Sequence, residues 1–376
     1  MSICARDPVH LFPWNGLAWL DESGHVLGRS RRPRSGIRSG MSGTVPEPER
    51  APIEDLIWST IHCPFALKLN EHIDLLGPHT EAWLLESGLL ASRTDYQPFD
   101  RLNLPWITAA VYADCDPDGL KIASDWITMF LLWDDICGRA DPGTEIEQLA
   151  RHAETIRRVL YGQHAARVDD IPYVCALDAL RTRTLAFGGG GLYLRFAADV
   201  DAFVTGCVTE VIQRCAGIVL DLEAHLQLRR DTGATYPMME LIELVHRMEL
   251  PPDVLASGHL STMMRMASHH VNLVNDLFSL YPEIQDHDSH NLVLVLHRQG
   301  LSVEAAVRQV IDDCNRSVER FLQAEAGLPS FGPEVDPLVA RYVAGLKCFL
   351  SGHLHWYAHT DRYQVDAPDG PTVVAW

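Results

Sequence analysis

Apolar residues recur at intervals of three and four along most of the chain between residues 53 and 363, as in ITMFLLWDDI and LIELVHRMEL. This spacing gathers apolar side chains on one face of an α-helix. No stretch alternates apolar and polar residues clearly enough to predict a β-sheet. The pattern therefore predicts one all-α domain in this chain of 376 residues.

Segments rich in Gly, Pro and Asp mark the expected helix interruptions. They are DCDPDG (114–119), DPG (141–143), FGGGG (187–191), DTGATYP (231–237), ELPPD (249–253) and GLPSFGPEVDP (327–337). The four glycines at 188–191 are interpreted as a flexible connection. They are not a phosphate loop, because no strand precedes them and no GK[ST] follows.

Both ends of the chain differ from its helical part. Residues 1–50 contain the run GRSRRPRSGIRSG and predict a disordered basic arm, while 364–376 predict a loose tail. Acidic residues within the first 22 positions argue against a transit peptide. An alternative is that Met41 is the biological start. The folded domain is expected to span 53–363.

Composition limits the partners. Asp and Glu outnumber Lys and Arg by 50 to 31, giving a formal net charge of -19, so the chain should repel nucleic acid and anionic membranes. No apolar run reaches about 18 residues, and we expect no membrane insertion. The nine cysteines lack metal-type spacing, which indicates reduced thiols and a cytoplasmic location.

The segment NDLFSLYPE places Asn275, Ser279 and Glu283 at steps of four. On a continuous helix such steps drift by only about 40° each, so the three side chains would share one face. Amide, hydroxyl and carboxylate oxygens suit Mg²⁺. Alone, the pattern fits a solvated polar face equally well.

A second acidic site follows an apolar run in FLLWDDICGRAD, where Asp134 and Asp135 stand side by side. Two carboxylates at the end of an apolar helix are costly unless a cation meets them. The alternative is a helix end that reaches water. Together with the first segment, the pair predicts several divalent ions between two helices.

Two further segments carry cationic and aromatic groups. Arg229 lies just before the predicted break at Thr232 and Gly233, and its fork could grip a phosphate. In HWYAHTDRY, Arg362 and Tyr363 are expected to end the last helix, after Trp356. Taken singly, these are equally an exposed arginine and an ordinary packed helix.

The four segments, in this order, resemble those of bacterial-type class I terpene synthases. That family has an aspartate-rich motif, an N-D-x-x-S-x-x-x-E motif and a terminal Arg-Tyr pair, and its diphosphate-sensing arginine stands 46 residues before the asparagine. Arg229 and Asn275 are 46 positions apart here. The segments GPHTEAWLLESGL and HNLVLVLHRQGLS also fit. The resemblance covers about residues 60–363.

The resemblance implies a single-domain helical bundle around a central active-site cavity. It implies a small isoprenoid diphosphate as substrate, with farnesyl diphosphate favoured and geranylgeranyl diphosphate open, and three Mg²⁺ ions that Mn²⁺ is able to replace. The implied metal ligands are Asp134, Asp135, Asn275, Ser279 and Glu283. In the family the first Asp bridges metals, and the second commonly pairs with arginine.

The remaining implied roles concern the leaving group and the carbocation. Arg229, Arg362 and Tyr363 would bind diphosphate, and Gly233, with Thr232 as linker, would act on the cation as the family's effector. Phe130, one turn before Asp134, and Trp356 are aromatic candidates for cation–π stabilisation, worth about 0.5–2 kcal/mol per ring. Phe196 is a weaker candidate, for which core packing is favoured.

The chain departs from the family at three places. Gly138 and Arg139 stand where a third acid is usual, and Asp141 lies about 10 Å further along the axis than Asp134, too far to share a metal. Pro282 precedes Glu283 and is expected to bend the helix, so the reach of Glu283 depends on that bend. His225 replaces a frequent tyrosine.

Other functions remain open at this stage. A chain-elongating prenyl diphosphate synthase would need a second aspartate-rich motif, and a catalytically silent helical scaffold would explain the missing acid. A zinc hydrolase built on His287 and His290 is remote, because HDSH lacks a third ligand. A homodimer is left open, as are substrate length and product.

Overall fold

The computed structural model of the protein describes residues 50–140, 145–167, 169–188, 190–285 and 290–363. Within these ranges the chain forms sixteen α-helices and two short 3-10 turns, without a β-strand, which confirms the all-α prediction. The helices are α1 (Arg50–Thr60), α2 (Leu76–Glu86), α3 (Tyr96–Asp100), α4 (Leu104–Val111), α5 (Pro117–Arg139), α6 (Ile146–Leu160), α7 (Pro172–Gly188), α8 (Gly190–Cys215), α9 (Leu222–Thr232), α10 (Thr235–Val245), α11 (Pro252–Leu255), α12 (Gly258–Phe278), α13 (Leu280–Gln285), α14 (Leu292–Arg298), α15 (Val303–Ala326) and α16 (Asp336–Trp356).

Side-chain caps start several of the helices that build the site. Asp116, Asp221, Ser257 and Ser302 each accept a hydrogen bond from a backbone N–H in the first turn of α5, α9, α12 and α15. Such a bond satisfies one of the donors left open at a helix N-terminus, and is worth about 1 kcal/mol.

The long helix α5 lies at the centre of the core. Its Trp126 and Trp133 are fully buried, and both indole N–H groups have partners, Thr184 Oγ1 at 2.9 Å and the Val204 carbonyl at 3.3 Å. The helix packs against α4, α7, α8 and α10, while α12 packs against α15 and α16. The helices thereby surround an interior cavity.

Buried ion pairs join neighbouring helices. On α5, the buried Asp125 binds Arg183 of α7 and His79 of α2. Between α8 and α10, Arg195 binds both Glu240 and Glu243, which are buried. Removing one partner of such a pair leaves a buried charge uncompensated, so these contacts fix how the helices pack.

The helix boundaries agree with the predicted interruptions at 114–119, 231–237, 249–253 and 327–337. The predicted break at 187–191 also occurs, between Gly188 and Gly190. The segment 141–143 with Asp141, His287, the arm to residue 49 and the tail from 364 lie outside the described residues.

Two further expectations concern thiols and membranes. The eight cysteines within the described ranges are free thiols, as predicted. Among the helices that the structure describes, none is both long and apolar enough to cross a membrane.

Candidate active site

A cavity of about 140 Å³ lies between α4, α5, α8, α12, α16 and the α9–α10 junction. Part of its wall is apolar and includes Leu104, Ile107, Ile127, Phe130, Phe203 and Trp356. Another part is polar and includes Asp134, Arg229, Asn275 and Arg362. An apolar pocket with a few converging polar groups is the usual form of a small-molecule site.

Asn275, near the end of α12, joins two parts of the polar wall. Its amide nitrogen donates to the hydroxyls of Tyr363, at 2.8 Å, and Tyr357, at 3.0 Å. Its amide oxygen accepts a short hydrogen bond from Arg229. The oxygen that a metal would need is therefore held by the chain's own guanidinium.

The helix that carries Asn275 is interrupted before Glu283. Helix α12 ends at Phe278, Ser279 caps it, and Glu283 lies on the separate helix α13. The Ser279 N–H still donates to the Asn275 carbonyl at 2.8 Å, and the Glu283 N–H donates to the Ser279 carbonyl at 3.0 Å. Pro282 cannot donate a hydrogen bond to the Phe278 carbonyl, which helps to end the helix. The predicted distortion thus takes the form of a break at Ser279, three residues before the proline.

Ser279 shows how well the site suits a cation. Its side chain is buried, and among the described residues its hydroxyl oxygen has no hydrogen-bond partner. A buried polar group without a partner is costly and calls for an explanation. A hard cation is a suitable partner for this oxygen, so the hydroxyl fits a Mg²⁺ ligand.

Glu283 is half-buried, and its Oε2 accepts a hydrogen bond of 2.7 Å from Asn291, which is fully buried. Asn291 also donates to the Asp276 carbonyl at 2.7 Å, and its own oxygen caps α14. The carboxylate is therefore tied to the interior beside α12 rather than directed into solvent.

Asp134 and Asp135, on α5, meet the same arginine. Arg362 Nη2 lies 2.9 Å from Asp134 Oδ2, and its Nη1 lies 2.8 Å from Asp135 Oδ1. Contrary to expectation, Arg362 and Tyr363 do not end the last helix: α16 stops at Trp356, and the pair lies in the turn that follows. Through Arg362 and Tyr363 this turn connects the aspartates of α5 with Asn275 of α12.

Where the family has a third acid, Arg139 Nη2 lies 3.9 Å from Asp135 Oδ2. A methyl group added at Gly138 would contact nothing within 4 Å, so space for a longer side chain exists there. Within the described ranges, no group of three or more His, Cys, Asp and Glu side chains is arranged to hold a metal ion.

Arg229 is held by Asp276, a fully buried residue that follows Asn275 in the sequence. Arg229 Nε donates to Asp276 Oδ1 at 2.8 Å, and the Leu292 N–H donates to Oδ2 at 2.9 Å. Burial alone would raise the pKa of Asp276, but Arg229 and the hydrogen bond with His225 outweigh it and hold the pKa below its ordinary value. His225, which replaces the usual tyrosine, thus supports the carboxylate that fixes Arg229.

The chain turns sharply after Arg229. Helix α9 ends at Thr232, Gly233 follows, and Ala234 has a positive φ of 52°. A Cβ at Gly233 would overlap Asn272 Oδ1, and the Asn272 amide nitrogen donates to the Arg229 carbonyl at 3.1 Å. Glycine at 233 therefore lets α12 approach the backbone that carries Arg229.

Phe130 and Trp356 both line the cavity, as do Phe203 and Tyr357, which the sequence did not single out. Phe130 and Phe203 meet edge to face at 5.5 Å. Phe196 does not line it and packs against Trp126 at 4.6 Å, in agreement with the favoured core role.

His353 also lines the cavity. Burial lowers its pKa to about 4, so the ring is neutral near pH 7 and adds no positive charge beside the apolar wall.

Sequence reasoning missed several supporting residues, chiefly Asp276, Asn291 and Tyr357. Two had local signals. Asp276 is part of NDLFSLYPE, and Asn291 precedes the apolar run LVLVL as an N-cap would. Tyr357 gave no signal beyond a helical aromatic, and only the fold brings its hydroxyl to Asn275.

Comparison with known proteins places this architecture in a class. Residues 125–320 match the sequence profile of terpene synthase family 2, C-terminal metal binding. The matched segment includes the second half of α5 with its aspartate pair, Arg229 and the whole of NDLFSLYPE. The chain belongs to this family and is a terpene synthase, a lyase.

Similar proteins cover most of the chain. Germacrene A synthase of Nostoc punctiforme is 29% identical over 313 residues, 83% of this chain and 96% of the relative. (+)-T-muurolol synthase of Roseiflexus castenholzii is 27% identical over 301 residues, 80% of this chain and 92% of the relative. The crystal structure of germacradien-4-ol synthase from Streptomyces citricolor superposes with a TM-score of 0.70 at 25% identity, covering 80% of this chain and 98% of that one.

Proposed function

We propose that this terpene synthase is a Mg²⁺-dependent cyclase that ionises farnesyl diphosphate, cyclises the resulting carbocation and releases diphosphate. One observation carries the proposal: Asp134 of α5 and Asn275 near the end of α12 converge with two arginines on an apolar cavity. A leaving anion and a carbocation need these two opposite environments side by side.

In this proposal, Asp134 on one side and Asn275, Ser279 and Glu283 on the other hold three Mg²⁺ ions, and Mn²⁺ is able to replace them. Bound divalent ions would stabilise the negative charge that develops on the diphosphate leaving group. Asp135, which lies 2.8 Å from Arg362, has two proposed roles, as a metal ligand and as the carboxylate that orients this arginine.

The arginines are proposed to change partners when substrate binds. Arg362 holds Asp134 and Asp135, and Arg229 holds Asn275 and Asp276. These guanidinium groups bind the same oxygens that would coordinate the metal ions. The arginines must therefore release part of these contacts before metal binds. Their N–H groups, with the Tyr363 hydroxyl, then donate to the diphosphate oxygens, where charge-assisted bonds are strong.

The apolar part of the cavity protects and shapes the cation. Phe130 and Trp356 face it, and aromatic faces attract cations by about 0.5–2 kcal/mol per ring. The Trp356 indole N–H is bound to the Leu102 carbonyl at 3.0 Å, which fixes the ring. Thr232 and Gly233 adjoin the same space at the end of α9, and we assign Gly233 the contact with the cation.

The relatives favour a C15 substrate. Among them are proteins named sesquiterpene synthase, and the Roseiflexus castenholzii enzyme is described as cyclising (2E,6E)-farnesyl diphosphate. The C20 diphosphate is the competing substrate.

Diphosphate release with and without divalent ions tests this proposal. We expect release from farnesyl diphosphate with Mg²⁺, none with EDTA, and a fall of about 100-fold in kcat/KM for Glu283→Gln. Glu304→Gln, an exposed residue of α15, is the matched control and should keep full activity. Equal activity of the two variants would remove Glu283 from the proposed metal site.

A further inference from the structure

A second, larger cavity of about 530 Å³ lies between α9, the start of α10, α12 and α15. Arg229 and Asn272 line both this cavity and the candidate active site, so the two share a wall. Four further arginines line the second cavity: Arg230, Arg265, Arg316 and Arg320. We call it the arginine groove.

Its charge contrasts with that of the chain, whose formal net charge is -19. Two carboxylates line the groove, Asp276 and Asp313. Asp276 is already paired with Arg229, and Asp313 binds Arg316. In the described part of the chain, no carboxylate lies within ion-pair distance of Arg265 or Arg320. Arg230 lies 3.9 Å from Asp231, so three of the five arginines have a carboxylate partner. Arg265 and Arg320 carry the positive charge that is left over, and an anion from outside would balance it.

The groove is shaped for a small anion. Its arginines come from three helices and converge on one concavity, whereas a flat basic face would suit a membrane surface. Arg230 lies over the Tyr236 ring at 5.2 Å, which restricts its side chain. Burial lowers the pKa of His269, which also lines the groove, so the positive charge comes from the arginines. Planar guanidinium groups match phosphate oxygens in pairs.

We propose that the arginine groove is a binding site for a small free polyphosphate anion, such as inorganic diphosphate or a nucleotide phosphate chain. Because the groove and the active-site cavity share a wall, an anion bound in the groove should affect the active site. An anion in the groove lies behind the Arg229–Asp276 pair and reduces the positive potential that Arg229 presents to the active-site cavity. Binding in the groove therefore weakens substrate diphosphate binding, and the coupling is reciprocal.

Calorimetric titration of inorganic diphosphate into the full chain, in EDTA and at low ionic strength, tests the site without turnover. We expect one saturable event that the double variant Arg316→Gln/Arg320→Gln weakens at least tenfold, and that Arg265→Gln weakens as well. Arg308→Gln removes one positive charge, as Arg265→Gln does, but from an exposed position of α15 where Arg308 pairs with Glu304, and it should leave the binding unchanged. Arg362→Gln should leave this binding unchanged.

Three results would overturn the proposal: no saturable binding, equal binding by the groove variants and wild type, or loss of binding in Arg362→Gln alone. A further arm separates free anions from lipid headgroups. If vesicles containing phosphatidic acid sediment the chain through Arg316 and Arg320 while diphosphate does not bind, the groove is a membrane contact and the proposal is wrong. Because no arm requires catalysis, its outcome is independent of the proposed cyclase activity.

Discussion

Replacing Ser279 with alanine should separate the stability of the fold from the binding of metal. Within the part of the chain that the structure describes, the hydroxyl is buried without a hydrogen-bond partner, and such a group costs about 1–3 kcal/mol relative to a satisfied one. Alanine removes that cost and leaves a gap of one atom. Without metal, the free energy of unfolding of Ser279→Ala should equal that of wild type or exceed it by about 1 kcal/mol.

When ligand is bound, the wild type should be more stable than Ser279→Ala. Mg²⁺ and diphosphate at about 100 times their dissociation constant stabilise the wild type by about 2.7 kcal/mol. A tenfold loss of affinity in the variant removes about 1.4 kcal/mol of that gain. Urea unfolding in EDTA measures the stability without ligand, and urea unfolding with Mg²⁺ and diphosphate measures the gain from ligand binding on the same protein.

Ser124→Ala is the matched control. Ser124 is fully buried, and its hydroxyl lies 3.2 Å from Thr80 Oγ1. Its removal strands the threonine and should cost about 1–3 kcal/mol without changing the gain from ligand. If Ser279→Ala instead loses more than about 1 kcal/mol in EDTA and keeps the full gain from ligand, Ser279 is a structural residue and its assignment as a metal ligand fails.

Three further perturbations have defined outcomes. Gly233→Ala places a Cβ against Asn272 and should raise KM, because it displaces the residue that contacts the Arg229 carbonyl. Gly77→Ala, at a helical glycine with open space around it, should leave KM unchanged in the same steady-state kinetic assay. Arg362→Lys keeps the charge but loses the fork that reaches both aspartates, and kcat/KM measured by diphosphate release should fall about 10- to 100-fold; a value near that of wild type would contradict the role of the fork. His270 is buried, and burial lowers its pKa to about 4 from an ordinary value of 6.5. Between these pH values the unfolded chain binds the proton and the folded chain does not, so the free energy of unfolding decreases as the pH is lowered from 6.5 to 4. At pH 5 this costs about 2 kcal/mol, which His270→Gln should recover relative to pH 7 in urea unfolding; an unchanged loss in the variant would show that His270 is not its source.

The sequence predicted the helices and most of their interruptions because both depend on neighbouring residues. Pro251 and Pro252 start α11, Gly327 caps the end of α15, and the apolar spacing on α5 is visible without any tertiary contact. The 46-residue separation of Arg229 and Asn275 agreed with a known arrangement, and in the structure these residues are hydrogen-bonded.

What the sequence did not predict depends on contacts between distant segments. Asp276 looked like one more acid on a polar helix, yet packing against α9 and α14 makes it the buried partner of Arg229. The position of Arg362 was missed because α16 stops six residues earlier, at Trp356, and a turn brings the side chain to both aspartates. The arginine groove combines three helices, and no single segment of the chain indicates it.

Gas chromatography of products formed from farnesyl diphosphate tests the central claim most directly. With Mg²⁺ we predict a cyclic C15 hydrocarbon or alcohol and stoichiometric diphosphate, and neither with EDTA. Intact farnesyl diphosphate after prolonged incubation with Mg²⁺ would contradict the account, as would a longer prenyl diphosphate formed when isopentenyl diphosphate is supplied.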